Sequence, residues 1–264
     1  MKVYIKSIAK LSRLDGEPAY REFLSPIEAR RMSRMMKKAI VVSTTALREA
    51  GISVPDAIIT GTGLGSLENT EAFLMALRGI TDDTPRPTNF MQSTHNTAGS
   101  LLGIRLGAHG YNATYANIGT SFESALLDGW MQIRLGEIDN ALVSAFEELT
   151  PTFSRMLAKT GFEGTCIDGI LSETAVSLVL SSSREGALCE LEGIDLLDAD
   201  DGMDPDGAEI LRREDYTAVF GNNYSVSALG LAMGIDKIAA GARRVVIKND
   251  FRGEQFARTV IRRI

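Results

Sequence analysis

Any chemistry in this chain must work with few of the usual groups. Its 264 residues include two histidines, His95 and His109, and two cysteines, Cys166 and Cys189. The histidines lack the spacing that sets two imidazoles on one helical face, and the cysteines form no CxxC pair. Cys166 has no cationic sequence neighbour to lower its pKa, and Cys189 alternates within an apolar strand pattern, so neither reads as a nucleophile. The acidic run Asp195, Asp198, Asp200, Asp201, Asp204 and Asp206 imitates a calcium loop when counted from Asp198. Gly202, however, stands at a ligand position and Met203 where the loop needs glycine, so a solvated loop and no metal are expected. Gly61-Thr62-Gly63-Leu64-Gly65 lacks the third-glycine spacing of a dinucleotide fingerprint. It reads as a place of close backbone approach, and no cofactor is expected.

The most informative stretch is Asn117-Ile118-Gly119-Thr120-Ser121-Phe122-Glu123. A strand over Ala113–Ala116 turns there into a helix over Phe122–Leu135. Such an elbow presents one residue at a helix N-terminus, where backbone N–H groups can serve as an oxyanion hole. Gly119, Thr120 and Ser121 are the candidates, with no His or Lys beside them in sequence to activate a hydroxyl. His95, between Thr94 and Asn96 at a helix entrance, reads as a capping or anchoring residue, with a general base as the alternative.

The elements that must position this elbow follow from periodicity. Met1–Ile8 alternates as a strand and lacks the hydrophobic block of a signal peptide. Ser25-Pro26-Ile27-Glu28 has the form of a capping box and predicts one long helix to about Glu49, stopped by Gly51, with Arg30, Arg31, Arg34, Lys37 and Lys38 around its first half. Strands at Ala57–Thr60 and Ala141–Ala145 alternate with helices, an order that implies a mostly parallel sheet. The second half repeats the theme more briefly: Leu135–Val143 lies over Ala240–Lys248, and Phe146 over Phe251. A duplicated α/β unit follows, residues 1–150 complete and 151–264 shortened. With 44% hydrophobic and 23% charged residues the chain fills a core, and its net charge of −6 argues against nucleic-acid binding. No apolar run approaches the roughly 20 residues of a membrane span, and a cytoplasmic location is expected.

The motif order resembles the β-ketoacyl synthase group of thiolase-fold condensing enzymes. The likeness runs through Asn96-Thr97-Ala98-Gly99, Gly110-Tyr111-Asn112, the elbow, and Asp139-Asn140-Ala141-Leu142-Val143-Ser144-Ala145-Phe146-Glu147-Glu148. It continues in Asp168–Ala175, in Ser227-Ala228-Leu229-Gly230, and in Asn249-Asp250-Phe251-Arg252-Gly253, which is similar to the family's glycine-phenylalanine loop. The resemblance implies a thiolase-like fold of duplicated αβ layers. It also implies a cysteine nucleophile at the elbow and two histidines from the second half. Here the cysteine position falls on Gly119, and Phe220, Asn222, Asn223 or Tyr224 stand in the segment where the histidines belong.

A ketosynthase-like chain without this triad resembles the chain length factors, inactive partners of active ketosynthases in polyketide and aryl polyene systems. That likeness implies no catalytic residue of its own and a pairing with an active β-ketoacyl synthase through Asn112, Thr114, Tyr115, Ala116, Asn117 and Ile118. It further implies a pocket walled by Met91, Tyr115, Phe122 and Phe251, and docking of an acyl carrier protein on Arg30, Arg31 and Lys37, or on Arg258, Arg262 and Arg263. The alternatives are an acyltransferase or synthase using Ser121 or Thr120, and a homodimeric acyl-chain binding protein.

Overall fold

The computed structural model describes residues 1–81, 83–160 and 171–264; Cys166 and residues 168–170 of the family-like segment lie outside them. The first strand, β1 (Tyr4–Leu11), runs three residues past the expected end. The capping box forms and starts α1 (Pro26–Ala29), with the Ser25 N–H donating to Glu28 Oε2 at 2.8 Å. The single long helix expected from this point is in fact two. Ser33 caps a second time by accepting from the Met36 N–H, so α2 runs Arg34–Ala50 and stops at Gly51 with φ 70°. A serine hydroxyl offers the backbone an alternative to the helical bond, and here it wins.

There follow β2 (Ala57–Gly61), α3 (Leu67–Leu77), α4 (Pro87–Met91), α5 (Thr97–Leu106), β3 (Tyr111–Tyr115), α6 (Ser121–Leu135) and β4 (Asn140–Glu147). The proline-rich stretch holds the short helix α4 because Pro87 sits in its first turn, where no intrahelical N–H is required. Beyond it lie α7 (Pro151–Thr160), β5 (Thr174–Ser181), β6 (Cys189–Leu197), β7 (Glu209–Leu211), α8 (Arg213–Phe220), α9 (Ser227–Ala239), β8 (Arg244–Phe251) and β9 (Gln255–Arg262).

The strands form one sheet in the order β3-β2-β4-β5-β1-β6-β9-β8-β7. Counted outward from the β1–β6 junction, both halves follow one plan. β1 is antiparallel to β5, β5 antiparallel to β4, and β4 parallel to β2; likewise β6 is antiparallel to β9, β9 antiparallel to β8, and β8 parallel to β7. Only the first half adds a fifth strand, β3, parallel to β2. The expected duplication with a shortened second half is therefore present in the topology. The mostly parallel sheet is not, because β5 and β9 each insert antiparallel, a pairing that needs no crossover helix.

Helices α6 and α9 pack on one face of the sheet against Ile59, Val143, Leu178, Val245, Ile247 and Ile261, forming the main core. Cys189 lies in this core, its thiol pushed up to about 12 by burial, as expected of an inert cysteine. On the opposite face of the first half, α2 and α5 bury a second core over Ile58, Leu142, Phe146 and Val179. The acidic stretch is largely exposed, as a solvated loop would be, but four of its carboxylates are engaged. Asp200 and Asp204 pair with the buried Lys248, and Asp195 and Asp201 with Arg258, because β8 and β9 present cations that need counter-charges.

Candidate functional site: the elbow between β3 and α6

After β3 the chain makes one 3-10 turn over Ile118–Thr120 before α6 begins. Ile118 takes φ 48°, an unfavourable region for a β-branched residue. The hydroxyls around it hold that shape. Ser121 Oγ accepts from the Asn117 N–H and donates to the Ile118 carbonyl, each at 2.8 Å, and Thr120 Oγ1 accepts from Asn117 Nδ2 at 3.1 Å. Both residues are buried, Ser121 completely. Gly61 on β2 permits the approach of α6, since a Cβ there would stand 2.4 Å from the Ser121 carbonyl oxygen.

Gly119 is enclosed by the β8–β9 hairpin. That hairpin turns through three residues, with Arg252 (φ 63°) and Gly253 (φ 68°) both at positive φ, and sets Phe251 and Gln255 opposite each other. Both side chains of this cross-strand pair reach the elbow. A Cβ on Gly119 would lie 2.1 Å from Phe251 Cγ, so no larger residue fits unless the ring moves. The Gly119 N–H, the donor an oxyanion hole would use, donates instead to Gln255 Oε1 at 2.9 Å. Its carbonyl accepts from Asn249 Nδ2 at 2.8 Å.

Behind the ring runs a buried polar network. Asn249 Nδ2 also donates to Glu123 Oε1 at 2.9 Å, and Arg213 donates to Asn249 Oδ1, Asn222 Oδ1 and the Asn223 carbonyl. The guanidinium of Arg213 stands 5.1 Å from the centre of the Phe251 ring, and Tyr224 packs on the same ring at 5.4 Å. Burial pushes the Glu123 carboxyl up. Glu147, at the end of β4, accepts from the Gly63 and Leu64 N–H groups and from Ser225 Oγ, yet burial outweighs these donors and lifts its carboxyl to about 7. A cavity of about 290 Å³ opens beyond Phe251, lined by Arg213, Thr217, Asn222, Asp250 and Arg252 among others.

The sequence-derived candidates are distributed unevenly around this site. Gly119, Thr120, Ser121 and Phe251 meet at the elbow. Phe122 turns inward to the main core, and Tyr115 lies half-buried on β3. Met91 is 72% exposed and borders a different, apolar groove of about 460 Å³ with Met32, Met36, Leu101 and Ile104. Met91 and Phe251, read as parts of one pocket wall, thus border different cavities. His95 is exposed and packs over Gly65, and none of the elbow hydrogen bonds described above involves it. In the segment expected to replace the histidines, Asn222 and Tyr224 approach the elbow. Asn223 instead bonds Ser172 and Thr174, and Phe220 is buried under Lys10.

Of the residues proposed for pairing, β3 lies at the end of the sheet with Asn112, Ala116, Asn117 and Ile118 exposed and Thr114 half-buried. Arg30 and Arg31 are exposed, Lys37 lies over the Tyr20 ring, and Arg34 and Lys38 pair with Glu173. Arg258 and Arg262 are engaged by carboxylates. Arg213 and Gln255 were not foreseen, and Asn249 was named only as part of the glycine-phenylalanine-like loop. Only Phe251 in the glycine-phenylalanine-like loop pointed to them.

A thiolase-like mixed α/β fold whose elbow carries glycine is thus the class that fold and site define. Residues 8–208 match the family model "Beta-ketoacyl synthase, N-terminal domain", and the chain belongs to that family. No curated protein matches it. Among solved structures it is similar to one described as "The ishigamide ketosynthase/chain length factor", at 14% identity and TM-score 0.82, covering 100% of this chain and 99% of that one. It is also similar to "AntDE:AntF (apo): type II PKS acyl-carrier protein in complex with its ketosynthase bound to the hexaketide", at 14% identity and TM-score 0.81, with 100% and 99% covered. A third is "Ketosynthase (ApeO) in Complex with its Chain Length Factor (ApeC) from Xenorhabdus doucetiae", at 18% identity and TM-score 0.65, with 100% of each chain covered. No helix among the described residues is long and apolar enough to cross a membrane.

Proposed function

We propose that this chain is a catalytically degenerate β-ketoacyl synthase-like subunit, of the chain length factor type, that pairs with an active ketosynthase and limits acyl-chain elongation. The observation that carries the reading is the contact of Phe251 with Gly119. At the family's nucleophile position there is no side chain, the space for one is filled, and the nearest N–H is already bonded. Without a thiolate and an imidazole pair, condensation lacks a nucleophile and a proton-handling partner. Ser121 and Thr120 are weak substitutes because both hydroxyls are buried and hold the turn. Pairing would add a partner strand to the exposed edge of β3, burying Tyr111 and Ile118, which are 45% and 52% exposed. Carrier-protein docking would fall to Arg30, Arg31 and Lys37, the members of the basic set without an ion pair among the described residues, of which Lys37 lies over the Tyr20 ring.

Co-expression with an active ketosynthase, followed by size-exclusion chromatography and incubation with acyl carrier thioesters, tests this directly. A heterodimer that elongates chains, with no acyl adduct on this subunit by intact mass, is the expected result. An adduct on this chain that disappears in Ser121→Ala would establish the acyltransferase reading instead. A stable homodimer that ignores the ketosynthase would favour the acyl-chain binding protein.

A further inference from the structure

At the far end of the β8–β9 pair, four arginines occupy two successive cross-strand positions. Arg244 on β8 lies directly opposite Arg262 on β9, and one residue further out the Arg263 N–H bonds the Arg243 carbonyl at 3.0 Å. Like charges placed opposite each other weaken a sheet, so this placement is costly without compensation. The inner pair is compensated. Arg244 makes a two-pronged contact with Glu192, through Nε at 2.5 Å and Nη2 at 3.0 Å, and Arg262 bonds Glu190 at 2.6 Å. The outer pair is not. Arg243 and Arg263 are exposed, and neither forms an ion pair with any described residue. All four line a cleft of about 640 Å³ together with Asp206, Gly207 and Ile264, and Asp206 is the one carboxylate side chain in its lining.

We infer that this cleft binds a small anion carrying a diphosphate unit, with Arg243 and Arg263 each engaging one phosphate. Three features favour this class. The volume suits a small molecule. Guanidinium forks match phosphate oxygens in paired hydrogen bonds. And two uncompensated cations on neighbouring strands ask for two anionic groups joined a short distance apart. The concentration of charge is local, since the chain as a whole has net charge −6. Neighbouring Lys248 and Arg258 are already matched by the acidic loop. The site is remote in the fold from the hairpin turn at Arg252–Gly253, at the opposite end of the same two strands, and its occupancy does not depend on pairing with a ketosynthase.

Isothermal titration calorimetry of the full chain with inorganic pyrophosphate, ADP and adenosine at low salt tests the inference. Saturable 1:1 binding of pyrophosphate and ADP, with none of adenosine, is expected. Binding of ADP much tighter than pyrophosphate would identify a nucleoside-borne diphosphate as the source, and equal binding the free diphosphate. Arg243→Ala/Arg263→Ala should weaken binding at least about tenfold, a loss of one charge-assisted contact or more. Arg243→Lys/Arg263→Lys, which keeps charge but not the fork, should fall between. Arg21→Ala/Arg78→Ala, an equal change in charge on exposed arginines elsewhere, should leave binding unchanged. No saturable pyrophosphate binding, equal binding in the Arg243→Ala/Arg263→Ala variant, or an equal loss in the control overturns the inference. Capture of polyglutamate but not pyrophosphate through the same arginines also overturns it, marking a protein-docking surface in its place.

Discussion

Over the first half of the sheet, α2 lays Met35, Ala39, Ile40, Val42, Ala46 and Leu47 against Ile58, Leu142 and Val179. Over the second half no helix among the described residues does this. There the outward residues of β8 and β9 include Lys248 and Arg258, and they are covered by Asp195 on β6 and by Asp200, Asp201 and Asp204 in the loop that follows it. The same strand plan is thus closed by two kinds of cover. Each fully buried aliphatic side chain under α2 contributes roughly 1.5–3 kcal/mol by leaving water. The ion pairs must first overcome the desolvation of both partners, and their carboxylates keep 19–43% of their exposure, so the net gain is small. The second half keeps its fold through the apolar core under α9, and its charged outer cover should respond to salt and acid where the first half's apolar cover does not.

The largest effects should separate the two covers. Ile40→Ala removes a fully buried side chain from α2 and should cost about 2–5 kcal/mol in urea unfolding, unchanged by added salt. Lys248→Ala strands two aspartates, but Asp200 is a third exposed and regains water. Its cost should therefore fall below the roughly 3–5 kcal/mol of breaking a fully buried pair, and about 1 M NaCl should shrink it further. Equal, salt-independent losses in the two variants would show that the covers do not differ in kind.

Titration should separate Glu147 and Glu148 from Asp200 by sign. In the first half Glu147 and Glu148 are both raised by burial to about 7. A raised carboxyl binds its proton more tightly when folded, so its contribution is complete below the unfolded value near 4.5 and is lost as pH rises through about 7. In the second half the hydrogen bond from Lys248 holds Asp200 below its ordinary range, so its contribution is lost only in acid, as pH falls through the lowered value. Urea midpoints should therefore climb from about pH 8 to about pH 6, by roughly 1 kcal/mol per raised glutamate, and Glu147→Gln should flatten that slope. Amide exchange in β8 and β9 should accelerate first in acid. A midpoint that falls between pH 8 and pH 6 would contradict the assignment.

Much of this contrast was legible in the sequence, and the illegible part has a physical cause. The elbow announced itself through Gly119-Thr120-Ser121 between a strand and a helix, and the repeat through Phe146 and Phe251, because both signals are local. The break between α1 and α2 was hidden because Ser33 sits in an unbroken pattern of methionines, and one serine does not declare whether it will cap. β7 is three residues long and α8 opens on charge, so neither offers enough periodicity to read. The bonds of Gln255 and Asn249 to Gly119 span more than a hundred residues, and the pairing of the acidic loop with Lys248 depends on which side of β8 that lysine faces. No motif records either.

The smallest effect sharpens the comparison at the elbow itself. Among the described residues two non-glycine positions have positive φ, Ile118 in the first half and Arg252 in the second, and they flank the Gly119–Phe251 contact. The hairpin turn sets Arg252 at positive φ, where a flexible, unbranched side chain bears it at modest cost. At Ile118 the branched side chain bears it while pointing 52% into solvent, on the face proposed for pairing. Left-handed backbone costs an L-residue about 1–2 kcal/mol, and glycine removes that cost while adding unfolded-state entropy. Ile118→Gly should therefore raise the unfolding stability of the isolated chain by up to about 1 kcal/mol and weaken its complex with a ketosynthase. Arg252→Gly should bring a similar or smaller gain and leave the complex intact. If Ile118→Gly stabilises the chain without weakening the complex, the strain at the elbow serves the turn alone, and the paired surface must lie further along β3.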